Sequence, residues 1–396
     1  MTQADPIVIA GMARTPMGGF QGVFSDLSAS DLGASAIGAV LDATGLAPET
    51  VDETIMGCVL SAGQGQAPAR QASKKAGIPD STGAVTVNKM CGSGMKAMML
   101  AHDSILAGSN RIVVAGGMES MTNAPYLLAK ARSGYRLGHG EVKDHMFLDG
   151  LEDAYDRGRL MGTFAEDTAR HFQFTREAQD AYALESLRRA LAASEDGTFA
   201  DEIAPVTVTN RAGTATVASD EQPARAKPEK IPTLRPAFAK DGTVTAANSS
   251  SISDGAAALL ITSRSEAERR GLPLIAEIKA HATHAQEPRW FTTAPIGAIR
   301  KVLEKAGWTQ DDVDLWEINE AFAVVAMAAM HELGLPHEKV NVHGGACALG
   351  HPIGASGARV AVTLINALRK HGGRRGVASL CIGGGEATAV AIELVD

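Results

Sequence analysis

Two stretches of the chain repeat the same order of features at a nearly constant distance. An apolar helical run leads into residues 45–52, and a similar run leads into residues 307–314, which lie 262 positions later. A serine–glycine pair that opens a predicted helix occurs at Ser93 and again at Ser356, which lies 263 positions later. This offset indicates an internal duplication, so the chain is expected to fold into two similar halves. The alternative is that any two segments of alternating strand and helix look alike.

Each half alternates predicted strands and helices, which favours a mostly parallel sheet covered by helices. Residues 123–250 have no counterpart in the second half, and they include an amphipathic helix at 176–192. Long excursions in compact domains are usually functional, so we interpret this one as a binding lid, with a platform for interactions alone as the alternative. The predicted units are an N-terminal half at 1–122 plus 251–274, a loop domain at 123–250 and a C-terminal half at 275–396.

The composition is that of an ordinary globular protein, and it limits the classes of partner that the protein is expected to bind. The 396 residues are 45% hydrophobic and 21% charged, with a net charge of −8 and no block of Lys or Arg, which argues against nucleic acid as a partner. No apolar run reaches the ~18 residues that would span a membrane, and no targeting segment is evident at the start. The four cysteines lack CxxC or zinc-like spacing, so we expect reduced thiols, no metal and a cytoplasmic location.

Cys91 stands in a glycine-rich frame, followed directly by Gly92, Ser93 and Gly94. The glycines allow a tight turn into a predicted helix, whose N-terminus presents free N–H groups and partial positive charge. This setting favours the thiolate, which is the nucleophilic form of cysteine. Cys91 is therefore a candidate nucleophile, and a buried inert cysteine is the alternative from these residues alone.

His351 and Cys381 complete a candidate constellation. His351 lies in a loop bounded by glycine and proline, and the duplication places this loop opposite the Cys91 loop, so both helix starts should converge. A lone histidine is otherwise more often structural. Cys381 ends a predicted strand just before three glycines at 383–385, whose backbone N–H groups can approach a ligand as an oxyanion site requires.

Three other candidates carry less information. Cys58 and Cys347 have no comparable setting, so we interpret them as small core residues, although Cys347 is only four positions from His351. His343 either lines the site or makes a structural hydrogen bond.

Five motifs, in this order, resemble those of the thiolase family over essentially the whole chain. They are Asn-Lys-Met-Cys-Gly-Ser-Gly at 88–94, Gly-Gly-Met-Glu-Ser-Met at 116–121, Asn-Glu-Ala-Phe-Ala at 319–323, Gly-His-Pro-Ile-Gly-Ala-Ser-Gly at 350–357 and Cys-Ile-Gly-Gly-Gly at 381–385. The related condensing ketoacyl synthases lack the second cysteine and the Asn-Glu-Ala-Phe segment. The resemblance implies an α/β, thiolase-like five-layered αβαβα fold built from two duplicated halves, with an inserted loop domain.

The resemblance also implies the roles of the catalytic residues. Cys91 would be the acylated nucleophile, and His351 would accept its proton. Cys381 would protonate the departing coenzyme A and later remove an α-proton from the second acyl-CoA. Asn319 would hold a water that, with His351, binds the enolate oxygen. The backbone N–H groups of Cys91 and Gly383 would form a second oxyanion hole.

The excursion would then be the coenzyme A-binding loop domain. By the resemblance, Ser250 would contact the pantetheine, and Arg225 would meet the nucleotide phosphates. Phe291 falls where many members carry a methionine near the acyl group. The apolar walls would be formed by Phe238, Met161, Leu151, Ala321 and Phe322.

Some residues depart from the family pattern. Leu160 replaces a histidine of many biosynthetic members, which removes a polar contact on the pantetheine side, and His343 replaces an asparagine. The Phe-x-x-Ala-Pro pattern at 291–295 resembles members that accept a 2-methyl branch. Some of those bind potassium through a tyrosine, and because residues 222–225 contain none, we expect no strong potassium dependence.

The activity that the resemblance implies is acetyl-CoA C-acetyltransferase, the reversible condensation of two acetyl-CoA to acetoacetyl-CoA and coenzyme A. The partners would be acyl-CoA and coenzyme A as substrate and product, without a metal or redox cofactor. The alternatives are a 3-ketoacyl-CoA thiolase for longer or 2-methyl-branched chains, and a catalytically silent acyl-CoA-binding protein. The family also points to a homotetramer, a dimer of dimers in which residues 123–146 join the pairs.

Overall fold

The computed structural model describes residues 5–211 and 213–395. The predicted ends of the two halves, residues 1–4 and 396, and one residue of the predicted loop domain, Ala212, lie outside the described residues. The predicted boundaries of the three units stay a prediction, and the elements below are given as the structure has them.

The first half begins with alternating strands and helices. They are β1 (Ile7–Arg14), β2 (Gly18–Gly19), α1 (Ala29–Thr44), β3 (Glu53–Gly57), α2 (Pro68–Lys75), β4 (Gly83–Val87), α3 (Ser93–Leu106) and β5 (Ile112–Ser120). Local sequence sets the ends of α1, because Ser28 and Asp31 form a capping box at its start and Gly45 ends it in the left-handed conformation, with φ of 63°.

The chain leaves the large sheet after Ser120 and returns to it at Ser253. The predicted helix at 176–192 is found within α5. The excursion contains β6 (Tyr126–Leu127), β7 (Lys143–Asp144), α4 (Met161–Phe172), α5 (Arg176–Glu195), β8 (Val206–Asn210), β9 (Gly213–Val217) and α6 (Glu221–Arg225).

The rest of the chain completes the first half and forms the second. Its elements are β10 (Ser253–Ser263), α7 (Arg264–Arg270), β11 (Ala276–Ala285), α8 (Ala294–Ala306), β12 (Leu315–Ile318), α9 (Ala323–Leu333), α10 (Ala346–Leu349), α11 (Ser356–His371), β13 (Arg375–Ile382) and β14 (Glu386–Leu394). Gly307 ends α8 with φ of 67°, as Gly45 ends α1, so the duplicated glycines have the same structural role.

The large sheet runs β12-β13-β14-β11-β1-β10-β5-β3-β4, and β2 pairs with β10. β3 is parallel to β4 and β5, and β12 is parallel to β13, whereas the other pairs in this sheet are antiparallel. The prediction of a mostly parallel sheet was therefore wrong. The last strand of each half, β10 or β14, enters beside β5 or β13 in the opposite direction, and β13 turns into β14 within three glycines.

Helices and sheet halves stack in the five predicted layers. α3 and α11 lie side by side between the two halves of the sheet, and α1 and α2 cover the outer face of the first half. α8 packs on the outer face of the second half, and α9 shares an apolar cluster with α8 and with strands β12, β13 and β14. Apolar clusters fill each space between layers. Since full burial of a large aliphatic side chain contributes about 1.5–3 kcal/mol, these clusters fix the two helix starts at the centre. The predicted αβαβα fold class is confirmed.

Candidate active site

An apolar cavity of about 400 Å³ opens beside the starts of the two central helices. Ten of the thirteen site residues predicted from sequence line it: Cys91, His351, Gly383, Ser250, Phe238, Met161, Leu151, Ala321, Phe322 and Phe291. Asn319 and Cys381 are fully buried and do not line it. Arg225 lies in a neighbouring groove. The structure thus brings the two helix starts together, as the duplication predicted.

The loop from β4 to α3 is held tightly around Cys91. The Oγ of Ser93 accepts a hydrogen bond from the backbone N–H of Lys89 at 2.8 Å and donates one to the carbonyl of Met90 at 2.6 Å. Met90 has φ of 47°, a costly value for a side chain of its size. Lys89 also forms an ion pair with Glu386, which joins this loop to the turn that carries Gly383. Cys91 is therefore fixed directly before α3.

The surroundings of the Cys91 thiol favour its protonated form. Burial raises its pKa to about 11, although the backbone N–H groups of Gly383 and of Cys91 itself act in the opposite direction. The buried carboxyl of Glu119 adds to the rise. The expectation that the helix N-terminus would favour a thiolate was wrong, because loss of hydration outweighs the N–H groups. The thiol must lose its proton as it attacks.

His351 is held in one tautomer. Its Nδ1 lies 2.6 Å from the Oγ of Ser356, and that hydroxyl donates its own proton to the carbonyl of Pro352 at 3.0 Å. The hydroxyl must therefore accept from Nδ1–H, which leaves Nε2 without a proton. Burial, followed by the nearby cation of Arg359, lowers the pKa of His351 to about 3. A neutral imidazole with a free Nε2 is suited to accept a proton.

Ser356 is a site residue that the sequence reasoning missed in this role. From the sequence, Ser356 was recognised only as the residue that opens the second duplicated helix. The available signal was a hydroxyl five positions after the histidine at a helix start, where the loop turns back on itself.

Asn319 lies next to His351 at the end of β12. Its backbone N–H donates to the carbonyl of Ser379 in β13 at 3.0 Å. Its Nδ2 is 3.4 Å from Nδ1 and 3.5 Å from Nε2 of His351, and its Oδ1 accepts a hydrogen bond from Arg359 at 3.2 Å. The amide is therefore fixed by the fold beside the imidazole rather than in the open part of the cavity.

Cys381 lies one residue before the end of β13, next to the glycine turn. Burial raises the pKa of this thiol well above its ordinary range, and the nearby Cys91 raises it further. Gly384 and Gly385 have φ of 94° and 89°, values that side-chain-bearing residues rarely adopt. The turn therefore requires glycine, and it directs the backbone N–H of Gly383 to the Cys91 sulfur.

Aromatic side chains shape the walls of the cavity. The rings of Phe238 and Phe322 meet edge to face at 6.0 Å, and Phe238 packs over Gly162, where a Cβ atom would collide with the ring. Phe291 is 2% exposed and meets Phe164 edge to face at 6.1 Å. The Oγ of Ser250 donates to the carbonyl of Ala321 at 2.9 Å. The walls offer few polar groups of their own.

Arg225 lies in a groove of about 310 Å³ that adjoins the cavity. The groove and the cavity share Ala246 and Ser251, so they are continuous at this edge. Lys227 and Lys230 also line the groove. The side chain of Arg225 is 64% exposed and forms an ion pair with Glu221 at 2.5 Å. A ligand that fills the cavity would meet these cations where it emerges.

The three less informative candidates, Cys58, Cys347 and His343, lie outside the cavity. Cys58 is buried with its Sγ 3.7 Å from Glu119, as a core residue. Cys347 lines the groove rather than the cavity. His343 pairs with His371 at 3.1 Å and does not line the cavity, so of its two predicted roles the structure shows the hydrogen bond. Leu160 does line the cavity, where it adds apolar surface.

Comparison with known proteins finds one family whose models match most of the chain. The model of the thiolase N-terminal domain matches residues 7–265, and the model of the thiolase C-terminal domain matches residues 272–394. The chain belongs to the thiolase family. In the described part of this thiolase, no helix is both long and apolar enough to cross a membrane.

Relatives match this thiolase over nearly their whole length. Acetyl-CoA acetyltransferase 2 of Arabidopsis thaliana is 52% identical over 393 residues, which cover 98% of this chain and 97% of the relative. Acetyl-CoA acetyltransferase of Chromobacterium violaceum is 48% identical, with 98% and 99% covered. The crystal structure of the Bacillus anthracis acetyl-CoA acetyltransferase has a TM-score of 0.96 at 40% identity and covers 100% of both chains. That of the Acat5 thiolase from Ascaris suum in complex with coenzyme A has a TM-score of 0.93 at 43% identity, with 98% and 100% covered.

Proposed function

We propose that this thiolase is an acetyl-CoA acetyltransferase, which condenses two acetyl-CoA to acetoacetyl-CoA and coenzyme A, and catalyses the reverse. The observation that carries the proposal is the convergence of Cys91, His351 and Gly383 on one apolar cavity, with Asn319 and Cys381 buried beside it. Relatives at 48–52% identity that bear this activity in their names support it.

The first half of the reaction transfers an acetyl group to Cys91. Its sulfur attacks the thioester carbonyl while Nε2 of His351 takes the thiol proton. The backbone N–H groups of Cys91 and Gly383 hold the carbonyl oxygen as it becomes negative. Cys381 gives its proton to the sulfur of the departing coenzyme A. Covalent transfer divides one difficult condensation into two easier steps.

The second half forms the new carbon–carbon bond. The Cys381 thiolate takes an α-proton from a second acetyl-CoA, and the enolate oxygen is held by Nε2–H of His351 and a water on Asn319. The α-carbon attacks the acetyl group, and Cys91 leaves as its sulfur recovers the proton from His351. The apolar walls exclude bulk water, which strengthens the fixed donors and protects the acetyl-cysteine from hydrolysis.

The adjoining groove fits the charged end of coenzyme A. The pantetheine would run between Met161 and Phe238, with Ser250 within its path. The phosphates would then reach Arg225, Lys227 and Lys230, which line the groove. Acyl-CoA and coenzyme A are substrate and product in this scheme, and none of its steps requires a metal or redox cofactor.

Exposed surface supports the proposed homotetramer. The segment from β6 to β7 displays several apolar side chains, with Leu137 98% exposed and Tyr126 68% exposed. Exposed apolar patches usually mark a partner surface. Within the described residues, β4 pairs only with β3, so it leaves an open sheet edge that a second copy can cover. We place the dimer contact at the core halves and the dimer–dimer contact at β6–β7.

The test is a chain-length profile of thiolysis with purified protein. We expect the highest kcat/KM with acetoacetyl-CoA, because the large ring of Phe291 lines the cavity and is backed by Phe164. Higher values for longer or 2-methyl-branched substrates would instead favour the alternative 3-ketoacyl-CoA thiolase. Absence of coenzyme A release from acetyl-CoA would support the silent binding protein.

Mass spectrometry of protein treated with acetyl-CoA tests the covalent step. The peptide that contains Cys91 should gain one acetyl group, and Cys91→Ala should lose both the label and the activity. Cys58→Ala is the matched control, since Cys58 is a buried thiol that does not line the cavity. It should keep the label. Activity that survives Cys91→Ala would contradict the mechanism.

A further inference from the structure

Arg359 is a buried cation beside the proposed catalytic residues. It lies in the first turn of α11 and is 1% exposed. One guanidinium nitrogen, Nη1, donates to Oε1 of Glu317 at 2.8 Å. The other, Nη2, donates to Oδ1 of Asn319 at 3.2 Å. Two side chains in the first turn of α11 therefore hold the proposed catalytic residues: Ser356 holds His351, and Arg359 holds Asn319.

Hydrogen-bond chemistry decides which way the Asn319 amide points. The two ends of an asparagine amide have nearly the same shape, so shape alone does not select one orientation. A guanidinium has five donors and no acceptor, so the end that faces Arg359 must be the oxygen. The NH₂ end then faces His351, where Nδ2 lies 3.4 Å from Nδ1 and 3.5 Å from Nε2. A flipped amide would place donor against donor.

The charge of Arg359 acts on His351 as well. A cation next to an imidazole disfavours the imidazolium, and after burial this is the second cause of the low pKa of His351. Burial raises the pKa of Glu317 to about 8, against the attraction of Arg359. Arg359 is the charged group that acts on the imidazole, and Cys91 lines the same cavity. Other titratable groups lie one step further away: Glu317 pairs with Arg359, and Cys381 and Glu119 interact with Cys91.

We propose that Arg359 is a positioning residue, which holds the Asn319 amide with its NH₂ group toward His351. This inference rests on the proposed function, in which the NH₂ group of Asn319 holds the water that binds the enolate oxygen. The orientation therefore serves the carbon–carbon bond-forming step. Acetyl transfer to Cys91 needs the backbone N–H groups and Nε2 of His351, so it depends less on Arg359.

A double-mutant cycle tests whether Arg359 acts through Asn319. Arg359→Gln replaces a donor-only group with an amide that can face Asn319 either way. We expect solvent deuterium exchange at the acetyl α-carbon to fall on the order of 10²-fold, as small misplacements of catalytic groups can cause. Asn319→Ala should cause a similar loss, and the double variant should lose little more, because contacting residues that act together are not additive. Additive losses, or a wild-type rate in Arg359→Gln, would overturn the proposal.

A conservative variant separates positioning from simple structural support. Arg359→Lys keeps a donor-only cation, so it should recover most of the exchange rate. The acid limb of the kcat/KM profile for thiolysis should move to higher pH by about one unit in Arg359→Gln, because removal of the cation favours the imidazolium, and should stay in place in Arg359→Lys. Equal behaviour of the two variants would contradict the inference.

Two further variants control for general loss of stability and for failure of Arg359→Gln to fold. Arg14 is a fully buried arginine paired with Glu202 and Asp220 that does not line the cavity, so Arg14→Gln should lower the melting temperature and leave the pH profile unchanged. If Arg359→Gln does not fold, Arg359→Gln with Glu317→Gln leaves no unpaired buried charge and carries the same comparison. A wild type without thiolase activity would refute the proposed function and this inference with it, whereas an active wild type with an unaffected Arg359→Gln would refute this inference alone.

Discussion

Gly94 and Gly357 face each other where the two central helices begin. A Cβ atom on Gly94 would lie 2.8 Å from the backbone nitrogen of Ala358, and one on Gly357 would lie 2.9 Å from the Cβ of Met95. The two glycines are 263 positions apart, which is the offset of the duplication. Without side chains the helix starts approach backbone to backbone, and this brings the loops of Cys91 and His351 to one cavity.

Gly357→Ala should therefore lower both stability and activity. The added methyl group meets backbone atoms of α3, which cannot move aside as a flexible side chain would, and overpacking of this kind costs about 1–3 kcal/mol. Urea unfolding should show the loss in free energy of unfolding. Thiolysis by the folded fraction should fall as well, because the two helix starts are forced apart.

Gly38→Ala in α1 is the matched control. Among the described residues, a Cβ atom there has no neighbour within 4 Å, and the residue is in a helix interior. Alanine should raise the free energy of unfolding by about 0.4–1 kcal/mol, because it restricts the unfolded chain. If Gly357→Ala is as stable and active as Gly38→Ala, close contact is not what requires glycine at the helix crossing.

The five layers were predicted through the family resemblance, whereas the strand directions predicted from the alternation of strands and helices were wrong. The repeated glycines at 45 and 307 have local causes, because each ends a helix in the left-handed conformation, so their pattern is visible in sequence. The directions of β10 and β14 depend on which neighbour each strand finds after leaving the previous one. That choice is made by packing, and alternation of strand and helix does not encode it.

The site residues also divide into those marked by local sequence and those that depend on packing. Cys91, His351 and Cys381 were found because glycine-rich turns mark them locally. Ser356 bonds to a histidine only five positions away, so its signal was local but was not used. Arg359 acts through hydrogen bonds to Glu317 and Asn319 about 40 positions away, and nothing in its own sequence neighbourhood indicates these partners. The protonation of Cys91 was predicted wrongly for a related reason: the helix N-terminus is visible in sequence, whereas the loss of hydration that raises its pKa to about 11 depends on the folded surroundings.

Cys381→Ala should separate the two halves of the reaction. Cys91 should still become acetylated, because its attack uses His351 and backbone N–H groups. Exchange of the acetyl α-protons with deuterated solvent should fall by ~10²–10⁴-fold, which is the usual contribution of a general base. Nuclear magnetic resonance of acetyl-CoA incubated with the variant measures this exchange. A normal exchange rate in Cys381→Ala would show that another group is the base.

Stability should fall as the solution becomes alkaline. Burial raises the pKa values of Cys58, Cys347 and Cys381 above the ordinary range. Above the unfolded thiol pKa of about 8.5, the unfolded chain loses these protons while the folded chain keeps them, so the free energy of unfolding decreases as pH rises. Each such thiol contributes up to about 1.4 kcal/mol per pH unit in this range.

Cys58→Ala should make this decline shallower by the share of one thiol. Urea unfolding between about pH 8 and about pH 10 measures the slope on both sides of the thiol pKa. The control is Ile55→Val, a buried change in β3 that removes one methyl group and no titratable group. It should lower the stability and keep the wild-type slope. Identical slopes in Cys58→Ala and Ile55→Val would mean that the Cys58 thiol titrates equally in both states.

Deletion of residues 129–140 should convert the proposed tetramer into an active dimer. The pairing of Leu127 with Lys143 holds the two ends of the deleted segment together, so the three residues left between β6 and β7 can close a short hairpin turn. The deletion removes Leu137, the most exposed large apolar side chain in the described part of the chain, and leaves every residue of the cavity in place. Light scattering should report half the wild-type mass, and kcat/KM for thiolysis should stay within about twofold, since the cavity walls do not change.

Leu137→Ser should weaken the tetramer in the same direction without shortening the chain. An unchanged tetramer in the deletion variant, or a wild type that is monomeric at micromolar concentration, would overturn the assignment of this surface.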